Sequence, residues 1–387
     1  MKIAHVAASP DLPADPAAAA FAPRRILVIV TRQIGDVLLT TPLLEAAHAR
    51  WPEATIDVLG FAGTLGMLQG RSDVAARIEI GARGWRPMPA LVRRLWRRYD
   101  LALVAEASDR AHLLGFVAAP VRAGLVPERR AHAWWKRLLL RHAVGVAGDR
   151  GQTHVAAEKL ALLMPWAGGA ARLPMLSPPP GSPLPDDLER ALGAAPIVVH
   201  APSMWRYKQW PVENFRVVVA ALLSEGRQVV LTGGSSTADR EKVAPLAALG
   251  QAPQLLDACG RLDFAQLSTL LARAALYIGP DTSVTHLAAA AGVPLVALFG
   301  PTNPLRWGPI GSSGAEPPFE RRSLAPQRRG RIILMQGPGD CVPCGRAGCE
   351  DHRDSVSECL EGISPQSVLA EADRLLREPR PAATAAR

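Results

Sequence analysis

No run of about 18 or more apolar residues occurs in this 387-residue sequence, so no transmembrane helix is predicted. The N-terminal stretch lacks the uninterrupted apolar core of a signal peptide, because Pro10, Asp11, Pro13, Asp15 and Pro16 break it. The expectation is a disordered leader over 1–23 and a cytoplasmic protein. The turn after the first predicted strand carries neither a Gly-x-Gly-x-x-Gly fingerprint nor a P-loop, which argues against a dinucleotide fold and a P-loop NTPase. No acidic pair is placed like the Asp-x-Asp that holds a metal in many transferases. Cysteine is scarce, at five residues, and four of these crowd between Cys341 and Cys359.

What is present is an ordinary globular balance: 48% apolar and 20% charged residues, with a net charge of +9. At this length two domains are expected, each with its own core. The basic excess gathers in the first half. Arg83, Arg86, Arg93, Arg94, Arg97 and Arg98 come without an acid among them. So do Arg129, Arg130, Lys136, Arg137 and Arg141, beside Trp134 and Trp135. Such runs are either solvated helix faces or a surface for an anionic partner. They are not interleaved in a nucleic-acid reader motif, so no nucleic-acid partner is expected.

The richest segment is 279–302. Gly279, Pro280 and Asp281 form a turn, Asp281 has the character of an N-cap, and Thr282 and Ser283 crowd the first helical turn. Gly292 and Pro294 end the helix, and Leu295 to Phe299 reads as a strand covered on both faces. A helix start of this kind suits an anion. A second strand-to-helix turn follows Ile197–His200 and carries Ser203, Arg206 and Lys208 ahead of a helix from Pro211 to Leu223. Donors on both turns, at one edge of a parallel sheet, point to a phosphorylated ligand. A third turn, Thr31 to Asp36, links a strand at 25–30 to a helix at 37–49. It offers a carboxylate, Asp36, which reads either as a functional group or as an N-cap.

Proline punctuates the middle of the chain: Pro174, Pro178, Pro179, Pro180, Pro183 and Pro185 read as a semi-rigid connector. It separates a domain at 24–180, with strands at 25–30, 55–59 and 101–105, from one at 184–362, with strands at 197–200, 228–232, 275–278 and 295–299. Residues 311–340 read as a loop, a C-terminal helix is expected within 363–378, and 379–387 as a frayed tail. Strands alternating with helices make this an α/β protein with parallel sheets.

Together the motifs Arg-Gln-Ile-Gly-Asp-Val-Leu-Leu-Thr-Thr-Pro (32–42), Lys-Gln-Trp-Pro-Val-Glu-Asn-Phe (208–215), Asp-Thr-Ser-Val-Thr-His (281–286) and Phe-Gly-Pro-Thr (299–302) resemble glycosyltransferase family nine, the heptosyltransferases of lipopolysaccharide core synthesis. The likeness spans about residues 24–377. It implies a GT-B fold of two Rossmann-like domains facing across a cleft, with the last helix returning to the first domain. It also implies an ADP-heptose donor, a lipid-linked phosphorylated saccharide acceptor, inversion, and no cofactor or required metal. Contact of the basic first domain with the inner face of the cytoplasmic membrane would follow.

Carried onto these residues, the resemblance implies Asp36 as the base, with Gly35 shaping its turn. Ser203, Lys208 and the N–H groups of Thr282, Ser283 and Val284 would hold the donor phosphates. Asp281 and His286 would shape that turn. Ser235, Asp239 and Glu241, beyond Gly233 and Gly234, are ribose candidates. The spacing Cys341-x2-Cys344-x4-Cys349-x2-His352, with Cys359, suggests either a structural zinc or reduced structural thiols. Two other readings stay open: a GT-B transferase using a hexose nucleotide, and a catalytically idle nucleotide- or lipopolysaccharide-binding protein.

Overall fold

The computed structural model describes residues 20–81, 88–128, 133–148, 151–166, 175–311 and 318–379. Most of the expected leader and tail, together with Arg83, Arg86, Arg129, Arg130 and Pro174, lies outside the described residues. The leader ends earlier than 23. The Phe21 ring packs 5.9 Å from that of Trp166, and Trp51 Nε1 donates to the Phe21 carbonyl at 3.1 Å.

The chain divides into two compact units. The first holds 1–180 and a later segment, 305–315; the second holds 181–304 and 316–387. The first unit is a six-stranded parallel sheet of β1 (Arg25–Val30), β2 (Thr55–Phe61), β3 (Ala76–Ile80), β4 (Leu101–Val104), β5 (Val121–Pro127) and β6 (His142–Val146). Their order is β3-β2-β1-β4-β5-β6. β1 is buried from Ile26 onward, as an apolar strand covered on both faces must be.

The second unit contains β7 (Ile197–His200), β8 (Val229–Thr232), β9 (Leu255–Asp257), β10 (Leu276–Pro280), β11 (Leu295–Phe299), β12 (Gln327–Arg329) and β13 (Ile332–Gln336). Their order is β12-β13-β11-β10-β7-β8-β9, and only β12 pairs antiparallel. Two Rossmann-like units of this kind make up the GT-B class. In each, strand order reverses at one point: between β1 and β4, and between β7 and β10. Ligands of open parallel sheets bind at such points, beyond the carboxyl ends of the strands.

Three expectations need correction. Residues 311–340 are not simply a loop, since β12 and β13 lie there and Ile333 is buried in the core. The C-terminal helix Pro365–Arg377 belongs to the second unit: Val368, Ala372 and Leu375 join the core formed by β7, β10 and the helix Val212–Ser224. Burying each such Val or Leu side chain contributes about 1.5–3 kcal/mol. Finally, the expected helix over 37–49 is two helices, Ile34–Leu38 and Thr41–Arg50. Pro42 has no N–H to give to the Leu38 carbonyl. The Thr41 hydroxyl takes that place at 2.8 Å, and Thr40 Oγ1 donates to the Asp36 carbonyl at 2.7 Å.

Candidate functional site

That break in the helix fixes Asp36. Asp36 stands in the first turn of Ile34–Leu38, with Gln33 at the N-cap, so it is neither the cap nor part of the preceding turn. Gly35 precedes it in the same helix and accepts from the Leu39 N–H at 2.9 Å. The side chain of Lys159 is buried beneath. Its Nζ donates to the Asp36 carbonyl at 2.5 Å and to Thr40 Oγ1 at 2.8 Å, and it lies 3.9 Å from Asp36 Oδ1. Burial pulls the Lys159 ammonium below its ordinary pKa, while Asp36 and then Glu106 oppose that shift. The Asp36 carboxylate keeps 18% of its side-chain surface exposed, so it alone of this pair can meet a substrate.

Glu106 follows β4 across the reversal point. Its buried Oε1 accepts from the Thr31 hydroxyl and from Ser108 Oγ at 2.7 Å. Oε2 has no hydrogen-bond partner among the described residues and lies 3.9 Å from Arg32 Nε. Asp36, Lys159, Glu106 and Arg32 thus form a charge cluster at the β1/β4 reversal. Sequence reasoning missed Glu106 and Lys159. The first left a signal, a lone carboxylate just past an apolar strand. The second left none, because its contacts with Asp36 span 123 positions.

At the β7/β10 reversal of the second unit, Lys208 Nζ meets Asp281 Oδ2 at 2.6 Å. Lys208 closes a short turn, Arg206–Lys208, after β7, and Asp281 follows β10 directly. Burial works to raise the Asp281 carboxyl. Lys208, His286 and a hydrogen bond from Thr302 outweigh it, and its pKa lies below the ordinary carboxylate value. Asp281 is therefore an ion-pair partner and not a cap; Thr282 occupies the N-cap of the helix Ser283–Ala290. The first N–H groups of that helix, at Ser283 and Val284, have no acceptor within it. His286 is buried one turn on, beside Asp281. Ser203 is also buried in the β7 loop, where its carbonyl accepts from Gln209 Nε2 at 2.8 Å.

The ribose candidates separate. Asp239 Oδ2 accepts from the Gly234 N–H at 2.6 Å, so this carboxylate braces the turn after β8. Ser235 and Glu241 are exposed nearby. Deeper in the same edge, His200 Nδ1 lies 3.0 Å from Thr232 Oγ1. Burial lowers the His200 pKa to about 4, against a raising influence of Asp239.

The cysteine segment carries free thiols: Cys341, Cys344 and Cys349 are exposed and Cys359 is half-buried. Burial, with the other three thiols, pushes Cys359 up to about 11, while a backbone hydrogen bond at Leu360 works the other way. His352 pairs with Glu350 at 2.7 Å. Among the described residues no group of three or more His, Cys, Asp or Glu side chains is placed to hold a metal ion.

Known proteins share this architecture. Residues 88–317 match the model of glycosyltransferase family 9 (heptosyltransferase). Lipopolysaccharide heptosyltransferase 3 of Escherichia coli is 28% identical, over 88% of this chain and 96% of the relative. Lipopolysaccharide heptosyltransferase 2 of Salmonella typhimurium is 28% identical, over 92% and 99%. An Escherichia coli heptosyltransferase solved with ADP superposes with a TM-score of 0.67 at 20% identity, covering 91% of this chain and 99% of that one. The two parallel-sheet units and the match over more than half of the sequence lead to one assignment: the chain is a glycosyltransferase and belongs to glycosyltransferase family 9, the heptosyltransferases.

Proposed function

We propose that this enzyme moves a heptose from ADP-heptose to a lipopolysaccharide core acceptor, with inversion and without a metal. The observation that carries the reading is the Lys208–Asp281 pair at the β7/β10 reversal, beside the N-terminus of Ser283–Ala290. Asp281 orients an ammonium where a nucleotide diphosphate would lie, and the helix start adds N–H donors.

An acceptor hydroxyl oxygen attacks C1 of the sugar as the bond from C1 to the phosphate oxygen breaks. Asp36 takes the hydroxyl proton, a contribution of about 10²–10⁴ in rate. Charge growing on the departing ADP is met by Lys208, Ser203 and the N–H groups of Thr282, Ser283 and Val284. One displacement with one base inverts the anomeric centre. Ser235 and Glu241 remain the ribose candidates, with Asp239 acting through its turn. The acceptor is a lipid-linked phosphorylated saccharide. The enzyme works in the cytoplasm at the inner face of the membrane. No helix among the described residues is long and apolar enough to cross a bilayer.

Thermal stabilisation by candidate donors tests the donor assignment, since a ligand that binds only the folded state raises apparent stability by mass action. ADP-heptose should raise the midpoint more than any UDP-hexose at equal concentration. The reverse order would favour a hexosyltransferase.

A further inference from the structure

The segment from Cys341 to Cys359 supplies no group to the transfer chemistry, yet it packs against both loops that carry the Lys208–Asp281 pair. On one side it grips the turn Arg206–Lys208. The Arg353 guanidinium lies 4.3 Å over the Trp205 ring. Trp205 opens that turn, and its carbonyl accepts from the Lys208 N–H at 3.0 Å. The Ser357 hydroxyl donates to the Tyr207 carbonyl at 2.7 Å, one residue before Lys208. One hold is on a ring and the other on the backbone, and Lys208 follows both. Ser357 is buried, whereas Arg353 is exposed.

On the other side the segment reaches the loop after β11. Thr302 gives a hydrogen bond to Asp281, and the neighbouring Pro301 carbonyl accepts from the Gly345 N–H at 2.9 Å. Gly300 lies against the end of the same segment. A Cβ there would stand 2.7 Å from Leu360 Cγ and 3.3 Å from Cys359 Sγ, so the close approach requires glycine. The segment is also tied to itself. The Cys349 N–H donates to the Val356 carbonyl at 2.9 Å, the Glu350 N–H to Ser355 Oγ at 3.0 Å, and the Glu358 N–H to Cys349 Sγ at 3.5 Å. Arg353 and Ser357 are thus presented from one folded piece.

We propose that this segment braces the donor site, with Arg353 and Ser357 as positioning residues that hold the Lys208 turn in place, a reading that rests on the donor site argued above. The reason is one of populations. A lysine on a turn that swings away binds an anion with an affinity reduced by the fraction of time it stands in place. Neither Arg353 nor Ser357 touches the donor in this account; each acts by keeping that fraction high. A cation over an exposed ring and a hydroxyl-to-carbonyl bond are modest holds, so each contributes a small factor and the two together a larger one.

Calorimetry of ADP binding to the full chain tests this. Arg353→Ala should weaken ADP roughly two- to fivefold, and Arg353→Ala with Ser357→Ala roughly tenfold. Arg353→Lys keeps a cation over the ring and should restore most of the affinity. In a Lys208→Ala background the same double change should weaken ADP by less than about twofold, because the residue being positioned is gone. A general loss of structure would act alike in both backgrounds. Arg353 is exposed, so Arg353→Ala should unfold in urea like the wild type, and its own cycle with Lys208→Ala decides the matter if the buried Ser357 change prevents folding. Wild-type ADP affinity in Arg353→Ala and in the double variant, or equal weakening with and without Lys208, overturns the proposal. Lys208→Ala separates the two readings. If it leaves ADP affinity unchanged, the donor site falls and the brace with it. If it weakens ADP while the Arg353 and Ser357 changes do nothing, the brace alone falls.

Discussion

Lys208 Nζ and Asp281 Oδ2, 2.6 Å apart, tie the loop after β7 to the loop after β10 at the point where strand order reverses. The pair has two consequences. It aims an ammonium into the loop region where a diphosphate is proposed to bind, and it neutralises a carboxylate that burial would otherwise penalise.

Lys208→Ala should therefore weaken ADP binding by about 1.5–3 kcal/mol, the range for a hydrogen bond to a charged group. It should also destabilise the fold, because Asp281 loses its counter-charge, and adding Asp281→Asn should restore part of that stability. Calorimetry of ADP binding and urea unfolding of the single and double variants check both. Unchanged ADP affinity would remove Lys208 from the donor site.

Acid should destabilise the protein in two windows. His200 is held at about 4 by burial, well below its unfolded value of about 6.5, so the folded state disfavours its proton. Stability is then full above about pH 6.5 and falls as pH drops towards 4. His142 and His112, both lowered by burial, act in the same direction. Asp281 has a depressed pKa, so its contribution is present above about pH 4 and is lost on further acidification through its folded value. Between pH 7 and pH 5, His200 alone should remove about 2 kcal/mol, or roughly 4–8 °C of thermal midpoint for a unit of this size. His200→Gln should flatten that decline; an unaltered pH profile would contradict the assignment.

In the first unit, Arg306 forms a buried two-pronged pair with Glu158, at 2.5 and 3.0 Å. Burial raises the Glu158 pKa, and Arg306 works against that rise. Glu158→Ala leaves a buried guanidinium without its counter-charge and should cost about 3–5 kcal/mol. Glu158→Leu with Arg306→Met should recover most of it. Chemical denaturation would measure both, and a single variant as stable as wild type would refute the account.

The strands around both reversal points were legible because they are short apolar runs bounded by turn residues. β1, β7 and β11 could be placed from Ile26–Val30, Ile197–His200 and Leu295–Phe299 alone. β3 and β12 were not, since Ala76–Ile80 mixes charged with apolar residues and Gln327–Arg329 has no apolar residue at all, both at sheet edges. Local sequence singled out Asp36, Lys208 and Asp281, but it could not pair Lys208 with Asp281, 73 positions away. That contact turned an expected cap into an ion-pair partner. Lys159 and Arg306 were invisible for the same reason: a buried charge is chosen by a partner that only the fold brings near.

EDTA should leave the initial transfer rate intact, because Lys208 and the first N–H groups of Ser283–Ala290 can stabilise the departing diphosphate unaided. Immediate loss of activity, restored by magnesium or manganese, would replace this account with a metal-dependent one.

The most direct test is release of ADP from ADP-heptose, followed for wild type and Asp36→Asn with and without heptose-deficient lipopolysaccharide. The account predicts acceptor-dependent release by wild type and, for Asp36→Asn, unchanged donor affinity with turnover lower by roughly 10² or more. Release that ignores the acceptor, or an Asn variant turning over near the wild-type rate, would contradict it.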